Sequence, residues 1–324
     1  MREPTYQQAI AKAWQVVWHH KILWILGLVA AFLGQFGLGD FFGRMWLIFF
    51  KDSASNDLFW VKITKIIWPS NLDWQNIVGI AWLGLLVLVI CLAVVVVAVV
   101  SQGALIAYTT SWFKSSRYSN ISKAWHKGVE HFWGLLGINV LYKLVMVLLL
   151  CSAGSLLKMY YEMSGLWIML ILVFVLSGIL LFYLIISIVY IYALGYVIVD
   201  NKKMGTALES AWKLFGRHIL VSFEVGIFLM LLNLLLVVVL ASSLLVAFFP
   251  SLLIWLVAGY TNIIVLSILG LIIGMLLWLI LLVLISGFFN AFGTGAWMYL
   301  FIKMHKEGVS SRMVHYVKKL FGRG

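Results

Sequence analysis

Three histidines recur with the same surroundings, and their spacing invites a chemical reading. His20, His131 and His218 each stand six residues after a tryptophan: Trp14, Trp125 and Trp212. An alanine precedes each Trp (Ala13, Ala124, Ala211), and an aliphatic residue lies three positions before the alanine (Ile10, Ile121, Leu208). Three imidazoles brought together suffice to hold a divalent metal or, when protonated, a phosphate. The structural alternative is that each ring marks a joint between an interfacial helix and a span, where an amphipathic side chain suits the headgroup layer. No cofactor is expected.

Lys143 and Glu224 are charges set among apolar residues. Counted from the repeated His, Lys143 is twelve residues in and Glu224 six, a depth difference of about 9 Å along a helix. Two long side chains can close that gap, as a coupling pair, a substrate contact or a structural ion pair between units. Gln35, Gln102, Asn139, Asn233 and Asn290 add polar points that join helices more often than they bind substrate. Gly37-Leu38-Gly39-Asp40 matches the G-x-G-D tetrapeptide of intramembrane aspartyl proteases, but its nearest partner, Asp200, belongs at the opposite membrane surface. H-E-x-x-H, G-x-S-x-G and Walker-type loops are absent from the sequence. Cys91 and Cys151 lie inside apolar runs at no metal or disulfide spacing. The sequence thus predicts no catalytic residue and points away from an enzyme.

The elements that must carry these residues follow from composition. The chain has 324 residues, 64% hydrophobic and 10% charged, with mean hydropathy +1.08. That is too little polar surface to cover a soluble globule of this size. The apolar runs are continuous, without the period of two of a β-barrel. Charge-free intervals then set the spans, since a helix needs roughly 20 apolar residues to cross. Lys21–Asp40, Asp73–Lys114 and Glu162–Asp200 enclose spans one, two and four; span three runs from Trp133 to Leu157. Glu224–Lys303 is too long for one crossing. A break at Phe248–Asn262, with Pro250 and Gly259, divides it into spans five and six and leaves LLIWLVAGY lying in the interface. The first run follows a long helical flank and precedes no A-x-A site, so it reads as a retained helix and not a signal peptide.

Lys and Arg set the orientation. Seventeen of the 23 fall in 1–21, 113–132, 200–217 and the tail from Lys303, five on the opposite side. Both termini are therefore expected in the cytoplasm, at the inner membrane. The net charge of +12 resides entirely on that side, so its implied partner is anionic inner-leaflet phospholipid and not nucleic acid. Oligomer formation stays open.

Each Ala-Trp…His copy forms one face of a short amphipathic helix (Ile10, Ala13, Trp14, Val17, Trp18; Leu208, Ala211, Trp212, Phe215) with a basic opposite face. Such a helix lies in the interface with Trp at headgroup depth. The expected fold is all-α: a polytopic bundle of six transmembrane helices in three repeats (1–112, 113–199, 200–303), each an interfacial elbow helix plus a helical hairpin. A basic amphipathic tail, 304–324, completes this single membrane domain. Small residues near the ends of the returning helices (Ser101, Gly103, Ala104; Ala193, Gly195; Gly293, Gly295, Ala296) allow close crossing. The segment Phe41–Gln75, with Trp46, Trp60, Trp68 and Trp74, is expected to cap the outer face.

The stretches SQGALIAY (101–108) and YALGYVIVDNKKMGTALESAWKLFGRH (192–218) resemble the membrane domain of bacterial glycerophosphoryl diester phosphodiesterases and related stand-alone integral membrane proteins. In that family the hydrolase is a separate soluble barrel, for which 324 residues leave no room. The resemblance implies a membrane module without phosphodiesterase activity. The expected function is a non-enzymatic, lipid-interacting or scaffolding module with a basic cytoplasmic face; the alternative is a transporter or lipid translocator using a cavity between repeats.

Overall fold

The computed structural model describes residues 5–31, 74–115, 120–162, 166–261 and 263–306. All the secondary structure in them is helical: α1 (Thr5–His19), α2 (Ile22–Ala30), α3 (Trp74–Ser115), α4 (Ile121–Glu130), α5 (Phe132–Glu162), α6 (Leu166–Asp200), α7 (Met204–Arg217), α8 (Ile219–Thr261) and α9 (Ile264–Lys306). Five stretches within α3, α5, α6, α8 and α9 are long and apolar enough to cross a membrane. The expected first span is described only through its opening turns in α2. Its remainder, with Gln35 and Asp40, the segment to Asp73 and the tail from residue 307 lie outside the described residues.

The helix ends follow local chemistry. The Asn120 side chain accepts from Ser122 N–H and starts α4, as a short polar N-cap does. Between α6 and α7 the backbone turns through Asn201 at φ 54°, a left-handed conformation that asparagine tolerates. Lys202 N–H returns to the Tyr196 carbonyl there at 3.3 Å.

One expectation is corrected. Helix α8 does not break at Phe248, and LLIWLVAGY is not a separate surface segment. The helix runs through Pro250 to Thr261, and α9 begins at Ile264. Packing against α9 explains this. Gly270 and Gly274 of α9 lie against Ser251, Ile254 and Phe248, and Trp255 Nε1–H donates to the Ser267 carbonyl at 3.0 Å. A proline removes one backbone donor, but neighbouring helices hold such a helix together in an apolar setting.

The core lies at one end of the bundle. Fully buried residues concentrate in Ala98–Tyr108 of α3, Ile188–Ile198 of α6 and Ala291–Met304 of α9, joined by Leu135 and Ile138 of α5. There α3, α6 and α9 touch one another, and the short helices pack around them: α1 on α9, α4 on α3, α7 on α6. Each short helix approaches through its smallest residues. Ala13, Ala124, Ala207 and Ala211 are buried, and a Cβ on Gly128 of α4 would lie 2.5 Å from the Val100 carbonyl oxygen of α3. In α2 and α9, Gly27 and Gly287 meet backbone to backbone. Close approach through small residues is what drives association among helices already surrounded by apolar side chains.

Candidate functional site

The repeated histidines are hinges. His20, His131 and His218 N–H groups donate to Val16, Lys127 and Leu214 carbonyls, closing the last turns of α1, α4 and α7. The carbonyls of the same three residues accept from Leu23, Leu135 and Ser222 and open the helices that follow. Each histidine thus ends one helix and begins the next, and this explains the constant distance from Trp. The rings do not gather: no cluster of three or more His, Cys, Asp or Glu fit for a metal occurs among the described residues. His20 lies edge-on to Tyr108, ring centroids 5.6 Å apart, and burial, aided by the neighbouring His19, lowers its pKa below the ordinary value. His131 Nδ1 lies 3.1 Å from the Lys127 carbonyl.

The tryptophans occupy the edges of their helices. Trp14, Trp125 and Trp212 are 49%, 38% and 57% exposed, while the alanine before each is buried. The expected apolar face is therefore split: alanine and valine or phenylalanine turn to the core, and the indoles turn outward. Trp14 stacks on Trp18, centroids 5.5 Å apart, with Phe288 edge-on to both. Beside these indoles the basic residues Lys12, Lys21, Lys123, Lys127, Lys203, Lys213 and Arg217 are exposed. Glu209 pairs with Lys213, whose hydrogen bond and charge hold the carboxyl below the usual carboxylate range.

Lys143 and Glu224 are both half-buried, on α5 and α8, but these two helices are not among the pairs that pack extensively. The Lys143 ammonium lies 5.9 Å from the Tyr142 ring centre.

Asn139 and Asn290 do occupy built positions. Asn139 Nδ2–H donates to Gln102 Oε1 (2.8 Å), Gln102 Nε2–H to the Tyr190 hydroxyl (2.9 Å), and that hydroxyl to Asn139 Oδ1 (2.7 Å). The ring ties α5, α3 and α6 together with every donor running in one sense, so each bond polarises the next. All three residues are buried, and Asn139 spends its second amide hydrogen on the Leu135 carbonyl. Tyr142 stacks on Tyr190 with centroids 4.2 Å apart. Asn290 Nδ2–H donates to the Gly27 carbonyl at 2.7 Å, at the α2–α9 crossing. The Asn233 side chain lies outside those described.

Next to this ring, a cleft with about 410 Å³ of empty space, its open mouth included, runs between α2, α3, α6 and α9. Gln102, Tyr190, Asn290, Thr294 and Trp297 supply its polar lining. Tyr190 and Trp297 carry no charge and were not singled out by the sequence reading. A phenol or indole within an apolar run raises no hydropathy signal, and the clue available was the aromatic density of YIYALGY (190–196).

Compared with family models, curated proteins and solved structures, the chain matches none of them. The site therefore has to be interpreted from its own geometry.

Proposed function

We propose that this chain is a non-enzymatic membrane module whose short basic helices engage anionic phospholipid at the cytoplasmic face. The observation that carries the reading is the division of α1, α4 and α7. Each buries its small residues against a long helix and leaves a Trp and at least one Lys exposed. Indoles favour the headgroup zone, and each Lys or Arg near an anionic leaflet contributes roughly 1 kcal/mol.

In this reading the three helix pairs α2–α3, α5–α6 and α8–α9 are the hairpins of three tandem units, six spans in all. Each elbow then rests on the returning helix of the preceding unit, and α1 resting on α9 closes the circle. The surplus of Lys and Arg supports an orientation with the elbows and both termini inside. The resemblance of 101–108 and 192–218 to membrane domains of bacterial phosphodiesterases agrees with a membrane module.

The test is lipid selectivity. Purified protein in neutral detergent is titrated with phosphatidylglycerol or phosphatidylcholine, and binding is followed by native mass spectrometry and melting temperature. Phosphatidylglycerol should bind more tightly, and salt should weaken it. Reversing Lys123, Lys127, Lys203 and Lys213 to Glu should erase the preference. Equal binding of the two lipids overturns the reading.

A second reading, a lipid translocator, is favoured by the cleft between the long helices. It requires that reconstituted protein move fluorescent phospholipid between leaflets. Unchanged flip rates against empty vesicles exclude it.

A further inference from the structure

The tail repeats part of α7 in its sequence. Lys213-Leu214-Phe215-Gly216-Arg217 recurs as Lys319-Leu320-Phe321-Gly322-Arg323, and each run begins 13 residues after the last residue of a long helix, Asp200 of α6 or Lys306 of α9. The same residues at the same spacing mark a repeated unit. Aligned on that run, the residues that α7 buries, Ala207, Ala211, Leu214 and Phe215, correspond to Met313, Val317, Leu320 and Phe321. Such a spacing puts all four on one face of a helix. The tail therefore keeps the apolar stripe of an elbow.

It lacks what seats an elbow on a long helix. The alanines of α7 that are buried against α6 are replaced by methionine and valine, which forbid the same close approach. Lys202 fastens the start of α7 by donating to Ser210 Oγ at 2.9 Å, with its ammonium 4.4 Å from the Tyr196 ring centre. The matching residues are Gly308, Tyr316 and Ile302, which supply no cation. The corresponding level of α9 is also taken. Gly128 of α4 docks on α3 at Val100 and Ala104, 25 and 21 residues before Trp125. Gly295 stands 23 residues before Lys318, the tail residue in the place of Trp, and a Cβ added there would lie 3.5 Å from the Ala13 Cβ of α1. Lys303 donates to Gln8 of α1 nearby.

The charge of the tail points to another surface. In α7, Glu209 pairs with Lys213; its counterpart is His315. Between 309 and 323 the chain carries Arg312, Lys318, Lys319 and Arg323 and no acid, and helical spacing sets these cations opposite the apolar stripe. A basic helix with one apolar face lies in the interface of an anionic membrane.

We propose that residues 309–323 are a fourth elbow without a seat, a basic amphipathic helix whose partner is the anionic bilayer surface and not α9. This contact is additional to those of α1, α4 and α7.

The experiment uses the full chain with Cys91 and Cys151 changed to alanine and Val317→Cys carrying an environment-sensitive fluorophore. The protein is placed in nanodiscs of phosphatidylcholine, alone or mixed with phosphatidylglycerol, so that the tail reaches the bilayer on its own side. Phosphatidylglycerol should shift the emission to the blue, and salt should reverse the shift. Lys318→Gln with Lys319→Gln should lower the ratio of bound to free tail about 25-fold, fivefold for each cation. The same label at Ser311→Cys, on the opposite face, should shift far less. A cross-link between Ala13→Cys and Gly295→Cys, formed before Val317→Cys is labelled, should leave the shift unchanged. Blue emission in phosphatidylcholine alone that ignores salt, equal shifts at 311 and 317, no shift with phosphatidylglycerol, or a shift altered by the cross-link overturns the proposal. The last outcome means that the tail takes the place of α1 on α9. The lipid preference of the other elbows should persist in Lys318→Gln with Lys319→Gln, so that reading and this one fail separately.

Discussion

The two halves of the long helices differ in how many side-chain bonds cross between helices, although Thr109, Thr110 and Ser111 beside the short helices also bond back to their own helix. Near the short helices, side chains bond across the bundle: Gln102 to Tyr190, Asn139 to Gln102, Tyr192 to Ser222, Asn290 to the Gly27 carbonyl, Lys303 to Gln8. In the far halves, hydroxyls turn back onto their own helix. Ser152 donates to Leu149, Ser155 to Ser152, Ser177 to Val173 and Ser242 to Val239. Burial follows the same division. Leu83–Leu92 of α3 and Met169–Phe174 of α6 are largely exposed, whereas Ala98–Tyr108 and Ile188–Ile198 are largely buried. A hydroxyl bonded within its own helix can face hydrocarbon without choosing a neighbour, so the far halves satisfy the backbone and the bilayer but specify few partners. The exception is α8 with α9, which stay together along their length through Leu236, Leu240 and Leu282 and the Trp255–Ser267 bond. Specificity of assembly is concentrated where the short helices dock.

The glycines give the sharpest contrast. Gly128→Leu at the α4–α3 crossing would drive a side chain into the Val100 carbonyl. Overpacking of this kind costs about 1–3 kcal/mol and more where backbone must move, so folded yield and melting temperature should fall steeply. Gly84→Leu, Gly154→Leu and Gly178→Leu have nothing within 4 Å of the added Cβ and should leave both unchanged. Equal loss in the two sets would dissolve the division.

Next in size is the polar ring. Asn139→Leu leaves Gln102 and Tyr190 with broken bonds, and about 1–3 kcal/mol of stability should disappear. Replacing all three members by apolar residues should cost less than the sum of the single changes. Ser177→Ala in the far half should shift stability by under about 0.5 kcal/mol. Additive effects around the ring, measured by double-mutant cycles, would show that its members act independently.

A smaller effect attends His20. Its pKa is lowered in the folded chain by burial and by His19, so the unfolded chain binds the proton more readily in the window below about 6.5. Stability should be complete above that value and decline as pH falls through it toward the lowered pKa. Melting curves from pH 8 to 5 should show a shallower decline in His20→Gln than in the parent. The smallest effect belongs to Glu209→Gln. This fully exposed pair with Lys213 should change stability hardly at all, and salt should erase what it contributes.

What the sequence made legible was whatever produces a period or a charge boundary. Intervals bounded by Asp73 and Lys114, or by Glu162 and Asp200, correspond closely to α3 and α6. The Ala-Trp…His spacing located α1, α4 and α7 because one residue must both close a helix and open another. Pro250 misled because the local rule against proline inside helices yields to packing against Gly270 and Gly274, residues about twenty positions away. Lys143 and Glu224 stand on α5 and α8, which are not among the helix pairs that pack extensively. Two of the ring's three members, Gln102 and Asn139, stood out in the sequence, since amides are conspicuous in an apolar run and the Tyr190 phenol is not.

The central claim is that the short helices lock the bundle from outside, with α1 resting on α9 so that the first and last described elements meet. A Cβ added at Gly295 would lie 3.5 Å from the Ala13 Cβ, within the range that a disulfide spans. The direct measurement is therefore cross-linking of Ala13→Cys with Gly295→Cys, in a chain whose Cys91 and Cys151 are alanine, under mild oxidation in intact membranes. The account predicts an intramolecular cross-link in most molecules, with lipid binding and melting temperature retained. Its absence, with both thiols still reactive to a small maleimide, would contradict it.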